Sequence, residues 1–529
     1  MQEFSLIFDL EPNNIKLTYE NIVGFLHRKT TDEIIITNLE NEFDNAPDMS
    51  KFRGIYIEFS KNSLKIYTDH FASIPIFYTI LDSQIILSNN FKFVASKVEK
   101  PTIDQIGFWE LFIYENTLLD RTLFKEIKYL QASSYLNFTN GPLEEVRYFN
   151  YDYEKKSEVK DSDLDSMIDE MRSYFKDLPD DDYIFPVSGG FDSRLFLSLF
   201  DKEKTINNFV TYGFDKKIIE NTAAKKVIDL LGYDKRKHFF HKLSEDKYLK
   251  DIKELNEMSG GFIGVQNSHL FSYLSDEKIK DTSMISGVLA DGIFGYACNP
   301  SDDRTSELSA SKYYQALNQV TLKYCIAKEI SDGIISDLEE LFSDWKENKT
   351  LSSFDEYFYL RERNSKFMFG LVNVWRRYTN VIIPPLDHKI EKIFMSLPDN
   401  TRKHKEIVNQ LLARINPKLM KINNVSSIFR DKEIGLGNKF QNLEYKIVRK
   451  LNNIFQNRLK LQINFTNRFD TETHNFNYMK YHSNIIEPKI VEFTKKTPGI
   501  IPEKILENIE GMRAYQLYSN IYTVNDYLK

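Results

Sequence analysis

The stretch Tyr183–Arg194 reads YIFPVSGGFDSR: a short apolar run, two adjacent glycines and then the start of a helix. Two glycines after a buried strand let the backbone turn sharply and present several N–H groups, and the following helix adds its partly positive N-terminal end. Such a turn binds anions. A tight strand-to-helix turn with a polar N-cap would account for a bare Gly-Gly, but the full Ser-Gly-Gly-x-Asp-Ser string favours a phosphate-binding loop.

The polar side chains of this loop match the chemistry of a polyphosphate. Asp192 places a carboxylate where a magnesium ion that bridges phosphates would lie, and the hydroxyls of Ser188 and Ser193 can donate to phosphate oxygens. No glycine in the chain is followed by lysine, so the Gly-x-x-x-x-Gly-Lys loop of kinases and GTPases is absent. The loop therefore indicates a different class of nucleotide-binding protein.

The residues around the loop alternate between strand and helix patterns. An apolar run at Phe209–Tyr212 is followed by Glu220–Leu231, where Ala223, Ala224, Val227, Leu230 and Leu231 fall on one helical face and Gly232 stands at the expected stop. Such alternation predicts a parallel sheet with helices on both faces. From about residue 305 to 529 the sequence is mostly helical in character.

The first 145 residues contain short runs rich in Ile, Phe, Tyr and Leu, separated by turn-prone clusters. Closely spaced strands of this kind usually pair as antiparallel hairpins. The expected strands are Ser5–Leu10, Glu33–Thr37, Gly54–Phe59, Leu64–Thr68, Ile74–Thr79 and Gln84–Leu87. Residues 151–165 are nearly all polar and predict a linker between an N-terminal domain over 1–150 and a C-terminal domain over 166–529.

Composition restricts the class of protein. The chain has 529 residues, 42% of them hydrophobic, and its net charge of -7 argues against general binding to nucleic acid. Its two cysteines, Cys298 and Cys325, cannot build a disulfide framework, which fits a reducing compartment. No uncharged apolar run approaches the length of a membrane span, and the N-terminus lacks a basic segment, so we expect a cytoplasmic protein without a membrane partner.

The glycine loop resembles the pyrophosphate loop of the ATP pyrophosphatases, which cleave ATP to AMP and pyrophosphate. A second segment, Ser286–Tyr296 (SGVLADGIFGY), is similar to the Ser-Gly-x-Gly-x-Asp-Glu-x-Phe-Gly-Gly motif of the asparagine synthetase family within that group. The resemblance implies that Asp291 joins Asp192 in holding Mg²⁺ on the pyrophosphate. It also implies a doubly wound parallel sheet like that of the adenine nucleotide α-hydrolases, with added helices.

The resemblance extends to the strand Phe209–Phe214, whose end faces adenine in the family. The residues that it assigns to ATP and its pyrophosphate are Val187, Ser188, Gly189, Gly190, Asp192, Ser193, Thr211, Tyr212, Ser286 and Gly287. Near the C-terminus, the segment around Lys432 resembles the family's late lysine loop. The resemblance makes Lys432 the candidate catalytic cation, which would neutralise charge that develops during adenylation.

The N-terminal domain resembles the family's glutaminase domain through Gly54–Glu58 and Thr68–Tyr78, which implies an Ntn-hydrolase-like αββα sandwich. A working glutaminase needs cysteine directly after the initiator methionine, but Gln2 stands there. We therefore predict that this domain hydrolyses no glutamine, as in the β-lactam synthetases and lasso-peptide cyclases. Val288 and Gly292 also depart from the family, because asparagine synthetases carry Glu at both positions.

Together these features predict an ATP-dependent, amide-forming ligase that activates a small-molecule or peptide carboxylate and passes it to an amine, with homodimer formation as one possibility. Two alternatives stay open. The first is an asparagine synthetase that uses ammonia, and the second is a nucleotide-binding scaffold or regulator that has lost catalysis through the changes at Val288 and Gly292. The sequence identifies neither the carboxylate nor the amine.

Overall fold

The structure, a computed structural model, describes most of the chain in ranges separated by gaps. These are residues 3–11, 14–23, 33–38, 47–139, 141–213, 216, 218–243, 245–264, 269–277, 279, 282–298, 308–348, 350–422, 487–502, 505 and 512–528. They form a mixed α/β fold with three sheets, one of which is wholly parallel. The expected α/β class is confirmed.

Two five-stranded sheets form the N-terminal part of the chain, with strand orders β2-β1-β7-β6-β8 and β10-β9-β5-β4-β3. Their strands are β1 (Glu3–Glu11), β2 (Asn14–Val23), β3 (Glu33–Asn38), β4 (Gly54–Phe59), β5 (Ser63–Thr68), β6 (Phe77–Leu81), β7 (Gln84–Ser88), β8 (Lys128–Tyr129), β9 (Ser134–Thr139) and β10 (Glu144–Arg147). Helices α1 (Phe91–Lys97) and α2 (Gln105–Tyr114) lie between β7 and β8 in the chain.

A common apolar core joins these two sheets. Phe8, Ile57, Ile66, Ile85 and Leu87 are fully buried in one cluster that takes residues from both. In β5 every second residue is buried, which is the period expected of a strand with one face on a core. Residues of the two sheets therefore pack face to face in one layer of side chains.

Pairing in the N-terminal sheets differs from the sequence prediction at one place. The hairpins β4–β5 and β6–β7 are antiparallel as expected, but β3 and β4 run parallel, with Ile34 opposite Ile55. The prediction of an antiparallel pair was wrong there. Fifteen residues separate the end of β3 from the start of β4, which is long enough for a crossover connection.

The third sheet is parallel, with strand order β13-β12-β11-β14-β15. Its strands and the helices between them are β11 (Tyr183–Pro186), α4 (Phe191–Leu199), β12 (Ile206–Gly213), α5 (Ile219–Leu230), β13 (His238–Lys242), α6 (Glu245–Ser259), α7 (His269–Glu277), β14 (Ser283–Ile285) and β15 (Asn380–Ile382). Strands β12 and β13 are added on one side of β11, and β14 and β15 on the other. The strand order therefore reverses between β11 and β14.

Helices make up the rest of the described chain, as the sequence predicts for residues beyond 305. They are α3 (Asp161–Asp177), α8 (Ala290–Ile293), α9 (Leu308–Tyr324), α10 (Lys328–Glu347), α11 (Phe354–Phe358), a π-helix (Tyr359–Met368), α12 (Phe369–Trp375), α13 (His388–Met395), α14 (Asp399–Arg402), α15 (Glu406–Ile415), α16 (Pro417–Met420), α17 (Glu487–Lys496) and α18 (Met512–Tyr527). Helix α3 begins inside the polar stretch 151–165, because Asp163 accepts a hydrogen bond from the backbone N–H of Lys160. None of the helices that the structure describes is both long and apolar enough to cross a membrane.

A buried ion pair joins the N-terminal sheets to the helices that follow the parallel sheet. Arg53, next to β4, pairs with Glu391 of α13, and both side chains are almost completely buried. The Nε of Arg53 also donates to the carbonyl of Leu386 at 2.9 Å, and the hydroxyl of Tyr153 donates to Glu391. Burial alone would raise the pKa of Glu391, but Arg53, His70 and the hydrogen bonds hold it below its ordinary value of 4.5.

We expect Glu391→Gln to destabilise the protein by about 3 kcal/mol at pH 7, because it leaves the Arg53 charge buried without its counter-charge. The unfolded glutamate takes up a proton first as the pH falls below 4.5, so the native protein loses this contribution there while the variant does not. The difference between the two proteins should therefore shrink in acid. Urea unfolding at pH 7 and at pH 4 measures it.

Glu492→Gln is the matched control, because Glu492 pairs with Lys489 and Lys496 on the exposed surface of α17. Its effect on the free energy of unfolding should be much smaller than that of Glu391→Gln at both pH values, because exposed ion pairs contribute little. A loss from Glu391→Gln that is equal at pH 7 and pH 4 would contradict the assignment to an ion pair.

Candidate functional site

A cavity of about 240 Å³ lies at the carboxyl edge of the parallel sheet, where the strand order reverses. Its walls come from the segments that follow three neighbouring strands: Val187 and Ser188 after β11, Thr211 and Tyr212 at the end of β12, and Ser286 after β14. At such a reversal the connections leave the sheet on opposite sides, and the crevice between them is the usual ligand-binding position of an open α/β sheet. Eight of the residues that the sequence assigns to the site line this cavity: Val187, Ser188, Asp192, Ser193, Thr211, Tyr212, Ser286 and Gly287. Gly189, Gly190 and Asp291 are not among its lining residues.

The glycine loop is held in shape by backbone geometry and by β12. The backbone N–H of Val187 donates to Val210, and the hydroxyl of Thr211 donates to the Val187 carbonyl at 2.6 Å. Gly189 adopts φ +73°, and a Cβ at this position would lie 2.5 Å from the Cβ of Ala223 in α5. Only glycine fits there, because the conformation is left-handed and the helix leaves no space.

The buried side chain of Arg194 holds the glycine loop in place through hydrogen bonds. Its fully buried guanidinium donates to the carbonyls of Gly189 at 2.8 Å, Leu419 at 2.6 Å and Ile422 at 2.8 Å. Burial lowers the pKa of this guanidinium to about 10, which leaves it charged at neutral pH. Arg194 therefore holds the Gly189 carbonyl toward the protein interior. It also links the glycine loop to α16 and to Ile422 that follows it.

The two serines of the loop bond within it. The Ser188 Oγ accepts from the N–H of Gly190 at 3.2 Å, and the Ser193 hydroxyl donates to the Gly190 carbonyl at 3.0 Å. Ser188 is exposed and lies on the cavity wall with Ser193. Both hydroxyls lie where a bound anion could exchange these local bonds for its own.

Two carboxylates from different loops meet on one ammonium group. Asp192 lies in the first turn of α4 and Asp291 in α8, and the Nζ of Lys405 lies 2.5 Å from Asp192 Oδ2 while it also contacts Asp291 Oδ1. Burial and Asp291 raise the pKa of Asp192, and Lys405 opposes this shift. Burial alone would lower the pKa of Lys405, but the two carboxylates hold it above its ordinary value. Lys405 is thus charged.

Lys405 reaches this position through a strained turn. His404 has φ 55° and ψ 26°, and Lys405 has φ 61° and ψ 33°. Left-handed backbone costs roughly 1–2 kcal/mol for each residue with a side chain. Just before this turn, buried Arg402 pairs with Glu356 and donates to the carbonyl of Ile293 at 3.3 Å. Arg402 therefore packs the turn that carries Lys405 against the helix that carries Asp291.

The segment after β14 approaches the glycine loop closely. The Oγ of Ser286 accepts from the N–H of Val288 at 3.3 Å, and a Cβ on Gly287 would lie 3.8 Å from the Cβ of Asp192. Leu289 has φ 70° although its side chain is almost completely buried. Val288 contributes an apolar side chain to the cavity wall.

The π-helix lies against α8, the short helix that carries Asp291. The hydroxyl of Tyr359 contacts Asp291 Oδ2 at 3.4 Å. A Cβ on Gly292 would lie 2.7 Å from both Asn364 and Leu360 of this helix. The π-helix thus occupies the space that a larger residue at position 292 would need, and π-helices occur frequently at functional sites.

Thr211 and Tyr212, which the resemblance assigns to ATP, both lie on the cavity wall, but their side chains differ in accessibility. Tyr212 is half-buried, whereas Thr211 is buried and its Oγ1 also lies 3.0 Å from His238 Nε2. Burial, with Lys225 and Lys216 nearby, lowers the pKa of His238 to about 4, so this imidazole is neutral at physiological pH. The Thr211 hydroxyl is thus bonded within the protein.

Sequence reasoning missed Lys405. It lies 213 residues after Asp192, in a short basic turn that carries no recognisable motif of its own. The lysine that was predicted instead, Lys432, and the N-terminal Gln2 both lie outside the residues that the structure describes. Two neighbouring carboxylates, Asp192 and Asp291, require a cation to balance their charge. That requirement does not indicate which lysine or arginine of the chain supplies it.

A second group of metal-ligand side chains lies elsewhere and is already neutralised. Cys298, Glu356 and Asp399 offer ligand atoms within 4.8 Å of one another. However, Arg402 pairs with Glu356, and Lys155 lies 3.1 Å from Asp399. Burial raises the pKa of the Cys298 thiol to about 12, so it stays protonated and is a poor ligand.

No model of a known protein family matches this sequence, and no curated protein matches it either.

The conformation of the loop generates a prediction about its glycines. Gly189→Ala should destabilise the protein by about 3 kcal/mol, because it combines left-handed strain with overlap against α5. Gly190→Ala should have an effect below about 1 kcal/mol, since Gly190 has a negative φ and its new Cβ would meet only the Ser188 hydroxyl, at 3.1 Å. Thermal or urea unfolding measures both.

Gly232→Ala separates the two causes. Gly232 also has a left-handed φ, of +77°, but a Cβ there would meet no atom within 4 Å. Its cost should be about 1–2 kcal/mol from strain alone. Equal losses at positions 189 and 232 would show that the contact with Ala223 does not matter.

Proposed function

We propose that this chain is an ATP-dependent ligase that activates a carboxylate with release of pyrophosphate and passes it to an amine. One observation carries the proposal: Asp192 and Asp291 share a cation beside a glycine loop, at the edge of the parallel sheet where the strand order reverses. Two carboxylates from separate loops suit an oxygen-ligated metal ion that also binds phosphate oxygens.

We also propose a fold family for each of the two parts of the chain. We take the parallel sheet as an adenine nucleotide α-hydrolase-like domain of the asparagine synthetase type, and the two N-terminal sheets as an Ntn-hydrolase-like glutaminase unit without its nucleophile. Leu289 supports the first assignment, because it occupies the second glycine of the Ser-Gly-x-Gly-x-Asp motif and has the left-handed φ of 70° that glycine adopts easily. The backbone here thus has a conformation that suits glycine, although the residue is leucine.

ATP would lie along the carboxyl edge of the sheet. The adenine would occupy the apolar part of the cavity, beside Val187 and Val210, and the triphosphate would extend over the N–H groups of Gly189 and Gly190 and the start of α4. Ser286 and Gly287 would border the nucleotide from the other side. Residues in or after three neighbouring strands of the sheet, β12, β11 and β14, would thus contact one ligand.

The residues present fit a magnesium ion. Within the described chain, Asp192 Oδ1 is buried without a hydrogen-bond partner, and its other oxygen already contacts a cation. Asp192 and Asp291 would hold Mg²⁺. When bound, the ion would supply positive charge that stabilises pyrophosphate as a leaving group.

The reaction would follow in two steps. A carboxylate oxygen of the substrate attacks the α-phosphorus of ATP, the bond to the β-phosphate oxygen breaks, and pyrophosphate leaves with an acyl-adenylate as the other product. An amine then attacks the acyl carbon, AMP leaves and the amine loses a proton to give the amide. Lys405, already held at Asp192, could stabilise the charge of the leaving pyrophosphate.

The acceptor side of the site differs from that of an asparagine synthetase. Val288 is apolar and cannot act as a base or bind an amino group, and Gly292 packs against the π-helix. These residues favour a substrate other than aspartate. Synthesis of asparagine from ammonia, and nucleotide binding without catalysis, are the competing functions that the experiment must separate.

Pyrophosphate release from MgATP tests the proposal. The purified protein is assayed with aspartate, other amino acids, peptides and carboxylated sugars, each with and without ammonium. We expect release that depends on one acid, and Asp192→Asn should lower it at least about a hundredfold because the variant loses a metal ligand. Release with aspartate and ammonium would identify the asparagine synthetase alternative.

Asp180→Asn is the matched control. Asp180 lies before the amino end of β11, whereas the glycine loop follows the carboxyl end of that strand, and the Asp180 side chain is fully exposed. This variant should release pyrophosphate at the native rate. Tight ATP binding without release from any acid would support the silent nucleotide-binding alternative, and no ATP binding would overturn the proposal.

A further inference from the structure

The ammonium of Lys405 stands where a divalent cation would bind. Its Nζ is 2.5 Å from Asp192 Oδ2 and also contacts Asp291 Oδ1. The Lys405 side chain is only 10% exposed, whereas those of Asp192 and Asp291 are 26% and 40% exposed. Asp192 lines the cavity, and the side chains of both aspartates are more accessible to solvent than the lysine that contacts them.

We infer that Lys405 is an internal counter-ion that keeps the Asp192–Asp291 pair closed to free divalent metal ions, so that metal enters only together with a polyphosphate. This inference rests on the proposed function only in taking the pair as the metal site. It adds a rule for the order of binding and a role for a residue outside both motifs.

The charges around the site explain the exclusion. Two carboxylates and one ammonium leave a single net negative charge. A free divalent ion would have to displace the ammonium or lie next to it, and like charges in contact at a partly buried site repel strongly. A polyphosphate brings several negative charges with the metal, and these offer the displaced ammonium a new partner.

The backbone keeps the ammonium at this position in the absence of ligand. His404 and Lys405 are both left-handed, and α15 begins at the next residue. Arg402, buried three residues earlier, holds the carbonyl of Ile293 in the helix that carries Asp291. The turn and the helix thus form one packed unit, and Lys405 has a fixed base from which only the side chain needs to move.

Binding of Mn²⁺ without nucleotide tests this inference. Free Mn²⁺ is measured by electron paramagnetic resonance, and protein-bound Mn²⁺ by the enhanced relaxation of water protons. We expect Lys405→Met to bind Mn²⁺ at least about tenfold more tightly than the native protein, because a charge in contact with the site is gone. Lys405→Arg keeps the charge and should bind Mn²⁺ as weakly as the native protein.

Two further variants control the result. Lys389→Met makes the same change of charge at an exposed lysine that pairs with Glu170, and it should leave Mn²⁺ binding unchanged. Asp291→Asn added to Lys405→Met should abolish the gain, which locates the new site. A gain that survives this second change, or Mn²⁺ binding that Lys405→Met does not strengthen, would overturn the inference.

The native protein gives an arm that needs no substitution at Lys405, in case that variant does not fold. Enhanced relaxation should appear when inorganic tripolyphosphate is added with Mn²⁺, and not with Mn²⁺ alone. Tight binding of Mn²⁺ alone by the native protein would overturn the inference, even if pyrophosphate release from ATP succeeds. A different result is that Lys405→Met binds Mn²⁺ more tightly while no form of the protein binds ATP. That result would support this inference and overturn the proposed function.

Discussion

The reversal of strand order between β11 and β14 is the constraint on which the candidate site depends. Because β12 and β14 flank β11 on opposite sides, the connections after β11 and β14 diverge and leave a crevice at the carboxyl edge. The glycine loop fills one side of that crevice and Ser286–Gly287 the other. Asp192 and Asp291, almost a hundred residues apart in the chain, face each other only for this reason.

Packing around the crevice is adapted to keep these groups in place. Arg194 holds the loop through carbonyls, and Arg402 holds the turn that carries Lys405. Both guanidiniums are fully buried, so each loses hydration that its hydrogen bonds must replace. Such residues are costly in a core, and here both lie next to the groups that would bind a polyphosphate.

Much of the site could be predicted from sequence because its elements are local. The helical face of Ala223, Ala224 and Val227 is buried in α5, and Gly232 follows that helix with the left-handed φ of a helix stop. Val187 and Ser188 of the glycine loop lie on the cavity wall with Thr211. These residues stand at the carboxyl ends of adjacent strands, which the sequence pattern already indicates.

What sequence could not predict depends on contacts between distant segments. Lys405 joins the site through tertiary packing over 213 residues, and no local pattern encodes that distance. The parallel pairing of β3 with β4 likewise depends on how the chain returns to the sheet rather than on the strand residues themselves. The ion pair of Arg53 with Glu391 spans 338 residues and was not expected either.

The three departures from the motif, at Val288, Leu289 and Gly292, all lie in the segment after β14. The π-helix accommodates the smallest of them, because Asn364 and Leu360 fill the space beside Gly292. Val288 makes the cavity wall apolar at a position where asparagine synthetases, whose motif this segment resembles, have a carboxylate. The half of the site that would bind ATP thus keeps the chemistry of the motif, and the half that would receive the second substrate has changed.

A crystal structure of the protein with magnesium and a non-hydrolysable ATP analogue tests the central claim most directly. The account predicts the terminal phosphates on the N–H groups of the glycine loop, the metal between Asp192 and Asp291, and the ammonium of Lys405 moved from the carboxylates to a phosphate oxygen. A nucleotide bound away from the carboxyl edge of the parallel sheet, or a metal that neither Asp192 nor Asp291 ligates, would contradict it.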